Sequence, residues 1–156
     1  MYSVFLTFVS FHRFPNLLVN WTGKIYARLS DVSVKVRSTT IRVLTNLILN
    51  DMVKVKGNIS ELAGCLEDED PKIRSLTKLF FAELSKKSNA IYNVMADIIS
   101  HLSDPETGRS KDQFQSIMKY LFEFIDKDKQ AESLVEKLCH RLAQLSHLNV
   151  LFVFFG

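Results

Sequence analysis

Asp126 and Asp128 stand two positions apart, the spacing at which a calcium-binding loop begins. Such a loop needs Gly at its sixth position and Glu at its twelfth, where the chain turns sharply and a carboxylate binds the metal. The corresponding residues here are Ala131 and Lys137. The four histidines share no spacing typical of metal ligands, and there is no Gly-rich phosphate loop or nucleophile elbow. We therefore expect no metal, no cofactor, no small-molecule substrate and no enzymatic activity.

An acidic run, Glu67 to Asp70, is the second group of residues that could bind a ligand. Four consecutive carboxylates could hold a metal ion or a basic partner. They could equally form a solvated turn, because negative charge stabilises the positive end of a helix that starts at Pro71. We favour the turn, with the metal or partner site as the alternative.

The two cysteines, Cys65 and Cys139, are 74 residues apart. Each lies in an otherwise apolar helical pattern, which is typical of buried free thiols and not of a disulfide framework or a metal knuckle. We expect both thiols to be free and buried.

A triplet of Leu, one polar residue and Asp recurs along the chain. It occurs as Leu29-Ser30-Asp31, Leu66-Glu67-Asp68 and Leu102-Ser103-Asp104, at spacings of 37 and 36 residues. Each copy is flanked by apolar patterns with a period of 3.6 residues, which indicates helices, and no long pattern alternates as a strand would. A repeat of helix, turn and helix at this period predicts an all-α fold, an α-solenoid of three to four antiparallel helix pairs.

The helix boundaries follow from capping residues and from proline. We expect Pro15 to interrupt the chain and Thr22 to cap a first helix, with Ser33, Asp70 and Ser110 capping later ones. The last helix is expected to face inward with Leu134, Val135, Leu138, Leu142 and Leu145. The predicted organisation is a stub of a preceding helix at 1–14, the solenoid at 15–142 and a divergent apolar tail at 143–156.

An arginine recurs six positions after two of the turn aspartates, as Val36-Arg37 and Ile73-Arg74. These arginines could line a DNA-facing ridge. We favour instead a ladder between adjacent repeats that links Asp31, Arg37, Asp68 and Arg74, because opposite charges recur at repeat-equivalent positions.

Charge is banded along the chain, although the net charge is only +3. The segment 24–56 carries seven Lys and Arg against two Asp, and the segment 72–87 carries five against one Glu. These bands predict weak, sequence-independent DNA binding, with a solvated helix face as the alternative. The best candidates lie off the apolar stripes: Lys35, Arg42, Lys72 and Lys78.

The Asp turn followed by Val-Arg resembles HEAT repeats, and several longer strings sharpen that resemblance. The closest is LTNLILNDMVKVKG at 44–57; the others lie at 89–93, 97–99, 102–105, 128–130 and 132–139. Together they resemble the C-terminal HEAT region of the D2-type non-SMC subunits of condensin I. The resemblance covers about 13–142.

This resemblance implies a non-enzymatic scaffold in mitotic chromosome condensation. Its partners would be the SMC ATPase heads and the kleisin, with weak binding to DNA or chromatin and no membrane. Its location would be the nucleus and mitotic chromosomes, with a cytoplasmic pool. The alternative is a generic HEAT adaptor for protein assembly or transport, unrelated to chromatin.

The basic loop Lys54-Val55-Lys56-Gly57 is the candidate docking element. Gly57 permits a positive φ before the next helix, and lysines are favoured near the carbonyl end of the preceding helix. By sequence alone, Lys54 and Lys56 could be only solubilising. The resemblance implies that this loop contacts an ATPase head, so we expect it to be exposed and to bind a partner.

Overall fold

A computed structural model describes residues 15–53, 58–104 and 108–144, and every regular element in these ranges is helical. The predicted all-α class is therefore confirmed for the described part of the chain. The α-helices, numbered here in chain order, are α1 Pro15–Tyr26, α2 Val34–Leu49, α3 Ile59–Gly64, α4 Pro71–Ser85, α5 Ala90–Leu102, α6 Lys111–Phe122 and α7 Asp128–Gln144. Two 3-10 helices, Ala27–Ser30 and Cys65–Glu67, continue α1 and α3.

Two compact units divide the chain between Phe80 and Phe81, within α4. In the first unit, α1 and the 3-10 helix that follows it contact α2. Buried side chains recur at helical spacing, and each fully buried aliphatic or aromatic side chain contributes about 1.5–3 kcal/mol before entropy losses. The largest fully buried ones are Ile41, Leu44, Ile48, Ile59, Leu62, Ile73 and Phe80.

In the second unit, α5 contacts both α6 and α7. Helix α5 is the most deeply buried of the three, with Ile91, Met95 and Ile98 at most 3% exposed. Its partner α6 contributes Phe114, Ile117, Met118 and Leu121. The last helix, α7, buries Leu134 but leaves Val135 59% exposed, so the predicted inward position of Val135 is wrong.

The start of α1 differs from the prediction. Thr22 lies inside α1, which begins at Pro15, so neither the cap at Thr22 nor the interruption at Pro15 is correct. Proline fits the first position of a helix because its φ is already helical and its missing N–H would have no partner there.

The predicted start of α4 is confirmed. Asp70 Oδ1 accepts hydrogen bonds from the N–H groups of Lys72 at 2.8 Å and Ile73 at 3.4 Å. Ser110 likewise accepts from Gln113 N at the start of α6, at 3.4 Å. Ser33 occupies the cap position of α2 but makes no side-chain cap bond.

The two cysteines differ in burial. Both are free thiols, and Cys65 is buried as predicted, but Cys139 on α7 is exposed, so the prediction for Cys139 is wrong. The neighbouring residue Leu138 is half-buried. Because consecutive residues of a helix are about 100° apart, Cys139 then points away from the buried side of α7.

The segments 1–14 and 145–156 lie outside the described residues. The predicted stub at 1–14 and tail at 143–156 therefore stay predictions, as does the boundary at residue 142. Helix α7 itself continues to Gln144.

Tyr26 provides a pH-dependent test of the first unit. It is 3% exposed, and burial raises the pKa of its hydroxyl to about 12. Tyrosine in the unfolded chain ionises near pH 10, whereas buried Tyr26 keeps its proton. The contribution of Tyr26 to the free energy of unfolding is therefore fully present below about pH 10 and is lost as pH rises towards 12. Between pH 8 and pH 11, urea unfolding should show the parent losing about 1.4 kcal/mol more than Tyr26→Phe. Parallel pH curves for the two proteins would contradict this assignment.

Candidate partner-binding site

The predicted ladder is present between the two Asp turns of the first unit. Arg37 Nη2 donates to Asp68 Oδ1 at 2.9 Å, and the two side chains are only 13% and 12% exposed. Arg37 Nη1 donates to the carbonyl oxygens of Asp31 at 2.8 Å and Val32 at 3.2 Å. The hydrogen bond with Asp68 raises the pKa of Arg37 above its ordinary value. Arg37 thus links two turns and is not placed to lie on a DNA-facing ridge.

Arg74 repeats the same local arrangement in the next turn. Its Nη1 donates to the carbonyl oxygens of Asp68 at 2.6 Å and Glu69 at 2.9 Å. Each turn aspartate also accepts a backbone N–H two residues on, Ser33 N at 3.0 Å and Asp70 N at 2.9 Å. The sequence period of 37 residues therefore corresponds to an equivalent set of hydrogen bonds.

These bonds also explain the acidic run at 67–70. Asp68 pairs with Arg37, and Asp70 caps α4, so two of the four carboxylates stabilise the turn and the helix that follows it. In the described ranges, His, Cys, Asp and Glu form no group that could hold a metal ion. The interpretation of the run as a turn is confirmed for these two residues.

The four candidate DNA-binding residues are all exposed and all belong to the first unit. Lys35 and Arg42 are seven positions apart on α2, so they lie on one face of it. Lys72, on α4, is the repeat equivalent of Lys35, 37 positions earlier. Lys78 is six positions after Lys72, which places it about 120° around α4. The structure therefore does not align all four residues along a single line.

The candidate docking residues Lys54, Lys56 and Gly57 lie outside the described residues. The chain leaves α2 through Asn50 and then a left-handed residue, Asp51, with φ of 56°. Met52 N donates to Leu47 O at 2.9 Å, and Asp51 N donates to Ile48 O at 3.1 Å. This pair of bonds satisfies the last carbonyls of α2 and directs the chain away from the helix.

Sequence reasoning missed a polar contact between α5 and α7. Gln130 Nε2 donates to Asn89 Oδ1 at 2.6 Å, and the hydroxyls of Tyr92 and Ser133 lie 2.7 Å apart. Lys137 Nζ lies 4.3 Å from the centroid of the Tyr92 ring. Hydrogen bonds from Lys137 and then from Ser133 lower the pKa of Tyr92 below its ordinary value. Both hydrogen-bonded pairs are 41 residues apart, which sets α7 in register on α5.

A comparison with known protein families finds a family that matches nearly the whole chain. Residues 3–151 match the family described as non-SMC mitotic condensation complex subunit 1. The chain belongs to this family. The match includes the whole predicted solenoid at 15–142, and it confirms the predicted resemblance to a condensin I subunit of the D2 type.

Curated relatives support membership of the condensin subunit 1 family. Condensin complex subunit 1 of Homo sapiens is 59% identical over 129 residues, and that of Xenopus laevis is 57% identical over 129 residues. Each match covers 83% of this chain. The condensin-1 complex subunit CAP-D2 of Arabidopsis thaliana is 55% identical over 132 residues, or 84% of the chain. The aligned part is 9% to 10% of each of these relatives, so the chain spans about a tenth of their length.

Membership of the condensin subunit 1 family favours a condensin scaffold over the alternative of a generic HEAT adaptor. A generic adaptor would share the repeat period but would not match the family over residues 3–151. Among the described helices, none combines the length and the apolar character needed to cross a membrane.

Proposed function

We propose that this chain acts as part of a non-enzymatic scaffold of the condensin complex in mitotic chromosome condensation. The observation that supports this proposal is the family match over residues 3–151. The helical repeats contribute surfaces for partners, and the ATP chemistry resides in the SMC ATPase subunits. The chain then acts in the nucleus and on mitotic chromosomes, with a cytoplasmic pool.

The first proposed partner contact is the basic loop with the SMC ATPase heads. Lys54 and Lys56 provide two positive charges, and Gly57 sets the path of the chain into α3. The capped end of α2 supports this role, because its closing bonds fix the point at which the loop begins. The kleisin is the second proposed partner. Purified heads and a purified kleisin, titrated separately with the chain, test the two contacts independently.

The third proposed contact is weak, sequence-independent binding of duplex DNA to the first unit. What supports it is the exposure of the four basic side chains together with the repeat equivalence of Lys35 and Lys72. The side chains of Arg37 and Arg74 bind turn carbonyls, so they are not counted among the phosphate ligands.

Salt dependence tests this DNA contact. Four phosphate contacts give a slope of log K against log salt of roughly −3 to −4, which means roughly 60- to 250-fold weaker binding between 50 and 200 mM salt. Fluorescence anisotropy with a labelled duplex measures the slope. Replacement of the four residues by Gln should bring the slope close to zero.

The chain offers a control with the same charge change. It replaces one arginine and three lysines that are exposed in the second unit: Arg109, Lys119, Lys127 and Lys129. This control should keep the slope of the parent. Equal slopes for the two quadruple variants, or no binding of the parent at low salt, would show that the first-unit residues are only solvated.

A further inference from the structure

We propose that the outer side of α1 and its 3-10 extension binds single-stranded nucleic acid through Trp21, Lys24 and Arg28. A base stacks on the indole of Trp21, and the two cations bind phosphates of the same strand. This contact does not depend on assembly into condensin, and it is separate from the four basic residues proposed to bind duplex DNA.

Trp21 is unusual in its exposure. Tryptophan is highly buried on average, yet 54% of this side chain is exposed. Lys24 Nζ lies 4.4 Å from the ring centroid, so an ammonium covers one side of the indole. The exposed half of Trp21 leaves the rest of the indole accessible from solvent. A flat aromatic partner can therefore reach the ring.

The two cations lie on the same side of the helix as the indole. Trp21, Lys24 and Arg28 occupy positions i, i+3 and i+7. Lys24 lies on α1 and Arg28 on the 3-10 helix that continues it, about 7 Å further along the axis, which allows them to bind successive phosphates of one strand. Arg28 Nη1 pairs with Asp31 Oδ2 at 3.3 Å, with the side chains 61% and 23% exposed. An exposed pair of this kind is weak, so a phosphate can replace the carboxylate.

Single-stranded nucleic acid is the occupant that uses all three side chains. An acidic peptide would pair with Lys24 and Arg28 but would leave the exposed indole without a matching group. A duplex presents its phosphates but keeps the faces of its bases stacked inside. Stacking on aromatic side chains next to cations is how many proteins bind single strands without sequence preference.

The test uses the fact that Trp21 is the chain's single tryptophan. Fluorescence of the full chain, excited at a wavelength that tryptophan absorbs and tyrosine does not, therefore reports on this surface. Addition of a 20-nucleotide oligothymidylate at low salt is expected to quench that fluorescence. Anisotropy of the labelled oligonucleotide then compares variants: Trp21→Leu should bind roughly 5- to 150-fold more weakly, and Trp21→Phe should bind nearly as well as the parent.

Val135→Ala is the matched control, since Val135 is a similarly exposed apolar residue, at 59%, in the second unit. It should bind like the parent. Equal binding by Trp21→Leu and the parent would overturn the proposal. Quenching by polyglutamate instead of the oligonucleotide would identify an acidic-peptide site. The same Trp21 dependence with a duplex of equal phosphate number would exclude base stacking. The quadruple variant of the proposed duplex-binding residues should keep its single-strand affinity, so failure of one proposal leaves the other standing.

Discussion

Replacement of Asp68 by Ala is expected to lower the free energy of unfolding by about 3 kcal/mol, the lower end of the cost of breaking a buried ion pair. Asp68 Oδ1 accepts from Arg37 Nη2 and from Asp70 N, both at 2.9 Å. Without this carboxylate, the charge of Arg37 stays largely buried and keeps its hydrogen bonds to the carbonyls of Asp31 and Val32 but loses its paired carboxylate. Chemical denaturation followed by circular dichroism measures the loss.

The chain contains a matched exposed ion pair for comparison. Lys86 Nζ lies 2.6 Å from Glu83 Oε1, but these side chains are 68% and 39% exposed. Glu83→Ala should therefore change the free energy of unfolding by no more than about 0.5 kcal/mol. Addition of Arg37→Met to Asp68→Ala should recover part of the lost stability, because no unpaired charge stays buried. Equal losses for Asp68→Ala and Glu83→Ala would show that the ladder does not join the two turns.

A reversal of charge in the basic loop is expected to have the largest effect on partner binding. The double variant Lys54→Glu, Lys56→Glu should bind purified SMC ATPase heads about tenfold or more weakly, because attraction across the interface becomes repulsion. Its helical content should match the parent, since the substituted residues lie between α2 and α3. Calorimetry or surface-based binding measures the affinity, and circular dichroism checks the fold.

Lys127→Glu with Lys129→Glu is the control for this experiment. These two lysines have the same spacing, are exposed, and give the same change in net charge. The control should keep the affinity of the parent for the heads. A loop variant that binds as tightly as this control would remove the docking role of Lys54 and Lys56.

Features that recur, or that depend on neighbours in the chain, could be predicted from the sequence. The ladder between Arg37 and Asp68 follows from two copies of one turn, because equivalent residues recur at 37 positions. The cap at Asp70 depends on the next three residues alone. Both features depend on residues that are close in the chain or that recur at the repeat period, so the sequence contains the information needed to predict them.

The errors fall where one local preference competes with another. Proline ends a helix when it follows one, but it is also favoured at the first position of a helix. Pro15 takes the second role, because α1 begins at it. The predictions for Val135 and Cys139 are wrong because the apolar residues of α7 form two adjacent stripes, and only one of them faces inward. Periodicity alone did not decide between these stripes.

The contact of α7 with α5 could not be predicted for a different reason. The hydroxyls of Tyr92 and Ser133 are 41 residues apart, and neither belongs to the repeated turn. A polar pair of this kind has no periodic signal, so only the three-dimensional structure reveals it. The exposure of Trp21 is similar, because an aromatic residue in an apolar pattern is normally expected to be buried.

Affinity purification of the tagged full chain from mitotic extract, with mass spectrometry of the bound proteins, tests the central claim most directly. The proposed role predicts recovery of the SMC ATPase subunits and the kleisin of condensin. It also predicts that the Lys54→Glu, Lys56→Glu variant recovers less of the ATPase subunits than the parent. Recovery of transport factors or phosphatase subunits without condensin subunits would contradict a role as part of a condensin scaffold.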